Sequence, residues 1–236
     1  MKRRRLGQHY LTDPEAVRRF IAAAKVGPSE RVLEIGTGKG VLTKELARLG
    51  SSLEWFEVDR ENFAATSKAM EGLRTVGHLS DAFDAEPRFD VLVASLPYSR
   101  SAAFVEWLGG LDYDRAVVLL QKDFVQKVIT PPGSRDYRAV SVLAQLSSEV
   151  EVLGSVLRRS FSPPPRVDSQ LVRFRPRVRL EAEEVTAIKR LFSLRRREVR
   201  SALAELGMEG HARERRRVYS LTPPEVHELC SPRGSA

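Results

Sequence analysis

Val32-Leu33-Glu34-Ile35-Gly36-Thr37-Gly38-Lys39-Gly40-Val41-Leu42-Thr43 runs from a short apolar segment through three glycines into a helical pattern. An apolar tetrapeptide bounded by such a turn reads as a buried strand, and the helix that follows runs from Leu42 to Leu49, stopped by Gly50. Glycines at a strand-to-helix turn let a backbone approach a ligand closely. The same alternation continues down the chain. Strands are expected at Leu53 to Val58, Thr75 to Leu79, Phe89 to Ala94 and Ala116 to Leu120, with helices over Asn62 to Met70 and Ala102 to Leu108. Upstream, Asp13-Pro14-Glu15 opens a helix that reaches about Lys25. This is an α/β fold with a mostly parallel sheet. A last alternating strand, Gln170 to Arg175, precedes charge-rich helices over Ala182 to Phe192, Glu198 to Leu206 and Pro224 to Leu229. The expected division is a catalytic domain over 1–178, with an N-terminal covering segment 1–25, and a small basic helical domain over 179–236.

The glycine turn is not the dinucleotide fingerprint, because Val41 stands where that motif needs its last glycine. It reads E-x-G-x-G-x-G, and acids follow at successive strand ends. Glu57 sits where a carboxylate accepts ribose hydroxyls, and Asp81 where one accepts the exocyclic amine of adenine. That set suits an adenosyl ligand without phosphates, and S-adenosylmethionine better than a dinucleotide. Glu34 either holds the turn or takes the amino-acid end of the ligand, the former being favoured. The fourth strand runs into Ser95-Leu96-Pro97-Tyr98. Pro97 fixes the chain so that a backbone carbonyl points into the pocket, and Tyr98 offers a ring for a planar base. An exocyclic adenine amine is a poor nucleophile, so acceptors that grip its hydrogens and aim its nitrogen supply most of the catalysis.

Charge is uneven along the chain. Of the 39 Lys and Arg, 18 lie in residues 151–236 against 11 Asp and Glu, while residues 1–150 are nearly balanced apart from Lys2, Arg3, Arg4 and Arg5. Such a surface draws a polyanion, with binding that weakens steeply as salt rises. The one cysteine, Cys230, excludes a disulfide framework and a Cys-rich metal site, and no metal is expected. No apolar run approaches the roughly 18 residues of a membrane helix, and no apolar signal core follows the basic N-terminus. A cytoplasmic protein with no membrane partner is the expectation.

At these residues the sequence resembles the adenine-N6 dimethyltransferases of small-subunit ribosomal RNA, over nearly its whole length. Gly7-Gln8-His9-Tyr10-Leu11 is similar to their G-Q-[NH]-[FY]-L signature, Glu34 to Thr43 to their glycine motif, and Asp81-Ala82 to their adenine-binding pair. Gln121-Lys122-Asp123-Phe124, Phe161 to Ser169, Phe192 to Arg197 and Arg217 to Glu225 match four further motifs in order. The resemblance implies a Rossmann-like class I S-adenosylmethionine-dependent methyltransferase sheet with a small C-terminal helical domain. It implies transfer of two methyl groups to each of two adjacent adenines in an rRNA hairpin loop during ribosome biogenesis, on an immature small ribosomal subunit. The protein would act as a monomer. Gln8, His9 and Leu11 would shape the pocket over the cofactor beside Gly36, Gly38, Glu57, Asp81, Ala82 and Ser95. Ser95, Leu96, Pro97 and Tyr98 would hold the target base, with Phe161 as a second aromatic wall. Lys2 to Arg5 and Arg195, Arg196 and Arg197 would hold RNA phosphates.

One position departs from the family, whose first catalytic residue is Asn where this chain has Ser95. A serine hydroxyl is shorter than an amide and donates as readily as it accepts. The chain holds one Asn and three Met, a sparsity that matches avoidance of thermolabile residues. Two rival readings stay open. One keeps the cofactor and changes the target, to DNA adenine or to a single methylation. The other is an assembly or transcription-associated binding protein on the same fold; intact Gly36, Gly38, Glu57, Asp81, Pro97 and Tyr98 argue against it, and Ser95 leaves it open.

Overall fold

The computed structural model describes residues 8–49, 52–208 and 215–231, so Lys2, Arg3, Arg4, Arg5 and the Gly50 helix stop lie outside the described residues. The chain enters through a two-residue strand, β1 (Tyr10–Leu11), and helix α1 (Pro14–Ala24). Asp13 caps α1 by accepting the Glu15 N–H, Pro14 fills the first turn, and Lys25 closes it in a left-handed conformation. The helix buries Ala16, Val17, Phe20 and Ala24, and Phe20 is fully enclosed. Enclosing a phenylalanine contributes about 1.5–3 kcal/mol relative to leaving it exposed.

Strands β2 (Arg31–Ile35), β3 (Ser52–Phe56), β4 (Thr75–His78), β5 (Val91–Ser95) and β6 (Arg115–Gln121) follow, interleaved with helices α2 (Val41–Ala47), α3 (Arg60–Ala69) and α4 (Ser101–Leu108). They pair in parallel as β4-β3-β2-β5-β6. Val91 to Ala94 and Ala116 to Leu120 are buried, as expected of strands covered on both faces. Strand β3 stops at Phe56 rather than at Val58. The Glu57 carboxylate accepts the Val58 and Asp59 N–H groups, and Asp59 in turn caps α3, which bends the chain out of the sheet.

Five elements beyond β6 were not read from the sequence or were read only in part. Helices α5 (Lys122–Val128) and α6 (Ala139–Ser147) lead into strand β7 (Ser148–Val156), a short strand β8 (Phe161–Ser162) and β9 (Ser169–Pro176). Strand β9 runs antiparallel to β6, and β7 closes the sheet edge beyond it. Strand β8 pairs with β1, placing Tyr10 opposite Ser162 and Leu11 opposite Phe161.

Two compact units emerge that are not contiguous in sequence. The first takes the chain to Phe104 together with Asp112–Val125 and Val150–Pro176. The second takes Val105–Leu111, Gln126–Glu149 and the chain from Arg177, so it includes α6, which a division at 178/179 assigns to the sheet domain. Within this second unit α6 packs with α7 (Ala182–Ser193) and α9 (Pro223–Cys230), and α8 (Val199–Leu206) packs on α7. Tyr137, fully buried, meets Phe192 edge-on at 5.5 Å. The amphipathic helices need a common core, and α6 supplies one wall of it.

Candidate active site

Every element that ends on the same edge of the parallel sheet contributes to one cavity of about 320 Å3, lying within the first unit. That volume is within the range of small-molecule sites. Its floor is the glycine turn after β2. Gly36 and Gly38 have φ of 77° and 54°, a region that side chains rarely enter. A Cβ on Gly36 would come within 3.2 Å of the Ser95 carbonyl, and one on Gly38 within 2.9 Å of the Tyr10 ring. Backbone conformation and these close neighbours both require glycine at the two positions, and both glycines line the cavity.

Of the two acids near the turn, Glu57 rather than Glu34 anchors it. Glu57 was expected to take ribose hydroxyls, and it lines the cavity, yet its Oε2 accepts the Gly38 N–H at 2.8 Å and its Oε1 the N–H groups of Val58 and Asp59. Glu57 is therefore the clasp of the glycine turn, and its Thr37 contact, at 3.5 Å, is the weak one a ribose hydroxyl can replace. Burial raises its pKa, and the backbone N–H groups offset part of that. Glu34, favoured as the turn's anchor, makes no hydrogen bond to it among the described residues. It lies buried beneath the turn with its pKa pushed up to about 8, by desolvation first.

Beyond β4, Asp81 and Ala82 line the cavity as expected. Asp81 Oδ1 accepts the Phe83 N–H at 3.0 Å, and Oδ2 accepts from Arg100 Nη2 at 2.5 Å. The Arg100 guanidinium also lies 4.6 Å from the centre of the Phe83 ring. Neither Arg100 nor Phe83 was singled out from sequence. The only signal was their position, Phe83 directly after the Asp81-Ala82 pair and Arg100 two residues past Tyr98.

Strand β5 delivers Ser95, Leu96, Pro97 and Tyr98 to the opposite wall. The Pro97 carbonyl accepts the Arg100 N–H at 2.9 Å, closing a tight turn. No backbone donor among the described residues takes the Leu96 carbonyl, the acceptor that the sequence assigns to a substrate amine. The Tyr98 hydroxyl and Ser169 Oγ share a hydrogen bond of 2.8 Å, and its ring stacks on His9 at 5.6 Å with 29° between planes. Burial raises the Tyr98 pKa, the Ser169 bond lowers it in part, and the Asp168 charge raises it further. Since a carbonyl only accepts, His9 Nδ1 carries the proton that it donates to the Pro163 carbonyl at 2.8 Å.

Gln8, His9 and Phe161 line the cavity, with Tyr10 beside them. Tyr10 donates to Gln8 Oε1 at 2.8 Å and covers Gly38. Leu11 does not belong to the cavity. Tyr10 faces the cavity, so Leu11, the next residue of β1, turns the other way into the core with Phe20, Leu171 and its strand partner Phe161, because successive residues of a strand face opposite ways. It holds its neighbours in place and touches no ligand space. Of the expected phosphate contacts, Arg195, Arg196 and Arg197 follow α7, and their backbone is pinned by N–H groups of Val218 and Tyr219. Arg197 is spent in an ion pair with Glu205, which leaves it a weaker claim on a phosphate.

Comparison with known proteins agrees with this geometry. The family model described as ribosomal RNA adenine dimethylase matches residues 1–223. A probable ribosomal RNA small subunit methyltransferase A of Pyrococcus abyssi is 32% identical, over 95% of this chain and 89% of that protein. The ribosomal RNA small subunit methyltransferase A of Crocosphaera subtropica is 34% identical, over 86% and 84%. A solved dimethyladenosine transferase from Plasmodium falciparum shares the fold with a TM-score of 0.79, at 24% identity over 94% of this chain and 96% of that one.

Proposed function

The chain belongs to the ribosomal RNA adenine dimethylase family, and from that premise we propose that it transfers methyl groups from S-adenosylmethionine to N6 of two adjacent adenines in a small-subunit rRNA hairpin loop. One observation carries the reading: the bare glycine turn, the strand-end acids and the Ser95–Tyr98 turn open into a single cavity. The residues fit the cofactor, since the Gly36 and Gly38 backbone and the Glu57 and Asp81 carboxylates line one cavity. Glu57 and Asp81 would hold its adenosine. When bound, that group supplies an electrophilic methyl on a sulfonium.

The chain's own part is positioning. Tyr98 stacks the target base, with Phe161 as the second wall, and the Leu96 carbonyl and Ser95 Oγ accept the two amine hydrogens. Held so, the nitrogen lone pair is drawn out of the ring and aimed along the line of transfer. The wall is fixed, because Tyr98 is tied to Ser169 and backed by His9. The basic helical unit and the N-terminal arginines would take the RNA backbone. A monomer acting on an immature small subunit in the cytoplasm completes the proposal.

Incubating the protein with immature small subunits and labelled S-adenosylmethionine, then analysing the RNA by mass spectrometry, should give dimethylated adenine at two neighbouring positions. An RNA free of N6-methylated adenine would leave a fold retained for binding.

Ser95 yields a second expectation. Its hydroxyl is shorter than the family's amide, so Ser95→Asn should leave methyl transfer unchanged or raise it by up to about tenfold, the worth of one hydrogen bond. A tenfold loss in single-turnover rate would mean that the wall has been rebuilt around serine.

A further inference from the structure

We propose that Arg100 is a latch on Asp81 that the adenine of the cofactor must displace, so that Arg100 sets both the affinity of the site and its tolerance for the base. This rests on the adenosyl reading of the cavity. It goes beyond it in assigning a role to a residue outside every motif.

Asp81 is the acceptor that the strand-end arrangement offers to an exocyclic amine, yet both of its oxygens are engaged. Oδ1 takes the Phe83 N–H, which is part of the turn and stays. Oδ2 takes the Arg100 guanidinium. A carboxylate oxygen can accept twice, but a charged donor holds it more strongly than a neutral amine, and the guanidinium fills the cavity space through which the amine would approach. The guanidinium also lies against the Phe83 ring, 4.6 Å from its centre, and both residues line the cavity. An adenine whose amine meets Asp81 needs that apolar face to lie on. Arg100 thus occupies the hydrogen-bonding edge and the stacking face together, which makes displacement the outcome rather than sharing.

The latch is weak enough to open. The Arg100 and Asp81 side chains keep 42% and 33% of their surface, so water screens the pair and can receive the released guanidinium. The residue sits at the end of the short turn Tyr98–Arg100, where β5 passes into α4, and a change of side-chain rotamer frees it without moving the Pro97 turn.

Calorimetric titration with S-adenosylhomocysteine tests this by binding rather than turnover. Arg100→Met keeps an unbranched stem and removes every donor. It should tighten binding about three- to tenfold, the gain expected when a half-exposed ion pair and cation–π contact need not be broken. The deaminated analogue S-inosylhomocysteine, with a carbonyl oxygen in place of the amine, should respond in the opposite sense. In the wild type that oxygen finds a donor in Arg100; in the variant it faces the bare Asp81 carboxylate, and binding should weaken. Arg100→Lys, which keeps a cation but no planar fork, should fall between. It also preserves the test if the methionine variant is poorly folded. Adenosyl binding that is unchanged or weaker in Arg100→Met, with wild type binding normally, would overturn the latch and make Arg100 a support for Asp81. Failure of wild type and variant alike to bind S-adenosylhomocysteine would overturn the cofactor reading, and the latch with it.

Discussion

Replacing Tyr98 with alanine should lower kcat/KM for methyl transfer to rRNA about 10²- to 10³-fold while leaving cofactor affinity near that of the wild type. Stacking of a base on an aromatic ring is worth about 1–3 kcal/mol per base by alanine substitution. Loss of alignment at the reacting centre adds a factor on the order of 10² for a displacement of about 1 Å. The ring is held in place, with His9 stacked against it and Ser169 bonded to its hydroxyl. Neither partner touches Glu57 or Asp81, so the adenosyl end of the cavity should be undisturbed. Tyr98→Phe removes only the Ser169 bond, worth about 0.5–1.5 kcal/mol, and should cost roughly two- to twelvefold. The ordering matters more than either value. An alanine variant within threefold of wild type, with its thermal midpoint unchanged, would mean that the target base stacks elsewhere.

Much of this site could be read before any coordinates, and the reason is local. The Gly36–Gly38 turn, the acids at Glu57 and Asp81 and the Ser95–Tyr98 turn each sit at the end of a strand whose apolar run is unmistakable, and a parallel sheet brings such ends to one edge. What escaped was set by tertiary contact. Strand β7 (Ser148–Val156) alternates weakly, carries Glu149 and Glu151, and is interrupted by Gly154 at a φ of 145°, so its pattern does not declare a strand. Helix α6 (Ala139–Ser147) is apolar on most sides because it walls the core of the second unit, a role assigned by α7 and α9 far along the chain. Leu11 follows Gln8, His9 and Tyr10, which line the cavity, and only its place in the core beside Phe20 and Leu171 reveals the face it takes. Arg100 reads as an ordinary surface cation until Asp81 and Phe83 are seen beneath it. That Glu57 rather than Glu34 anchors the turn is of the same kind. Sequence places two carboxylates near one turn, and the register of β2 (Arg31–Ile35) against β3 (Ser52–Phe56) determines which one reaches Gly38.

That arrangement leaves Glu34 a buried acid with nothing to hold it ionised, and its substitution should change how stability depends on pH. In the unfolded chain it loses its proton near the ordinary value of 4.5, whereas in the fold it keeps it to about 8. Desolvation is the main cause; the nearby Glu57 charge adds to it, and the Thr43 hydroxyl offsets part. No hydrogen bond of good geometry reaches either Glu34 oxygen or Thr43 Oγ1 among the described residues. Below pH 4.5 both states carry the proton and Glu34 contributes no pH dependence. Between 4.5 and 8 the folded state binds the extra proton, so stability falls as pH rises, and above 8 the full penalty is present. At 1.36 kcal/mol per pKa unit the loss is on the order of 4 kcal/mol for a group buried this deeply. Glu34→Gln keeps the shape of the protonated acid and cannot ionise. Urea unfolding followed by tryptophan fluorescence should find the two proteins nearly equal at pH 5. At pH 8 the glutamine variant should be more stable, by roughly 2–4 kcal/mol once relaxation of the site is allowed for. Glu57 shifts in the same direction but is common to both proteins, so it largely cancels in the difference. Parallel stability–pH curves for the two proteins would show that Glu34 ionises in the fold, with water or a rearranged Thr43 reaching it. A carboxyl kept neutral under the glycine turn leaves the Gly38 N–H to Glu57, so one acid binds the loop and the other only fills the space below it.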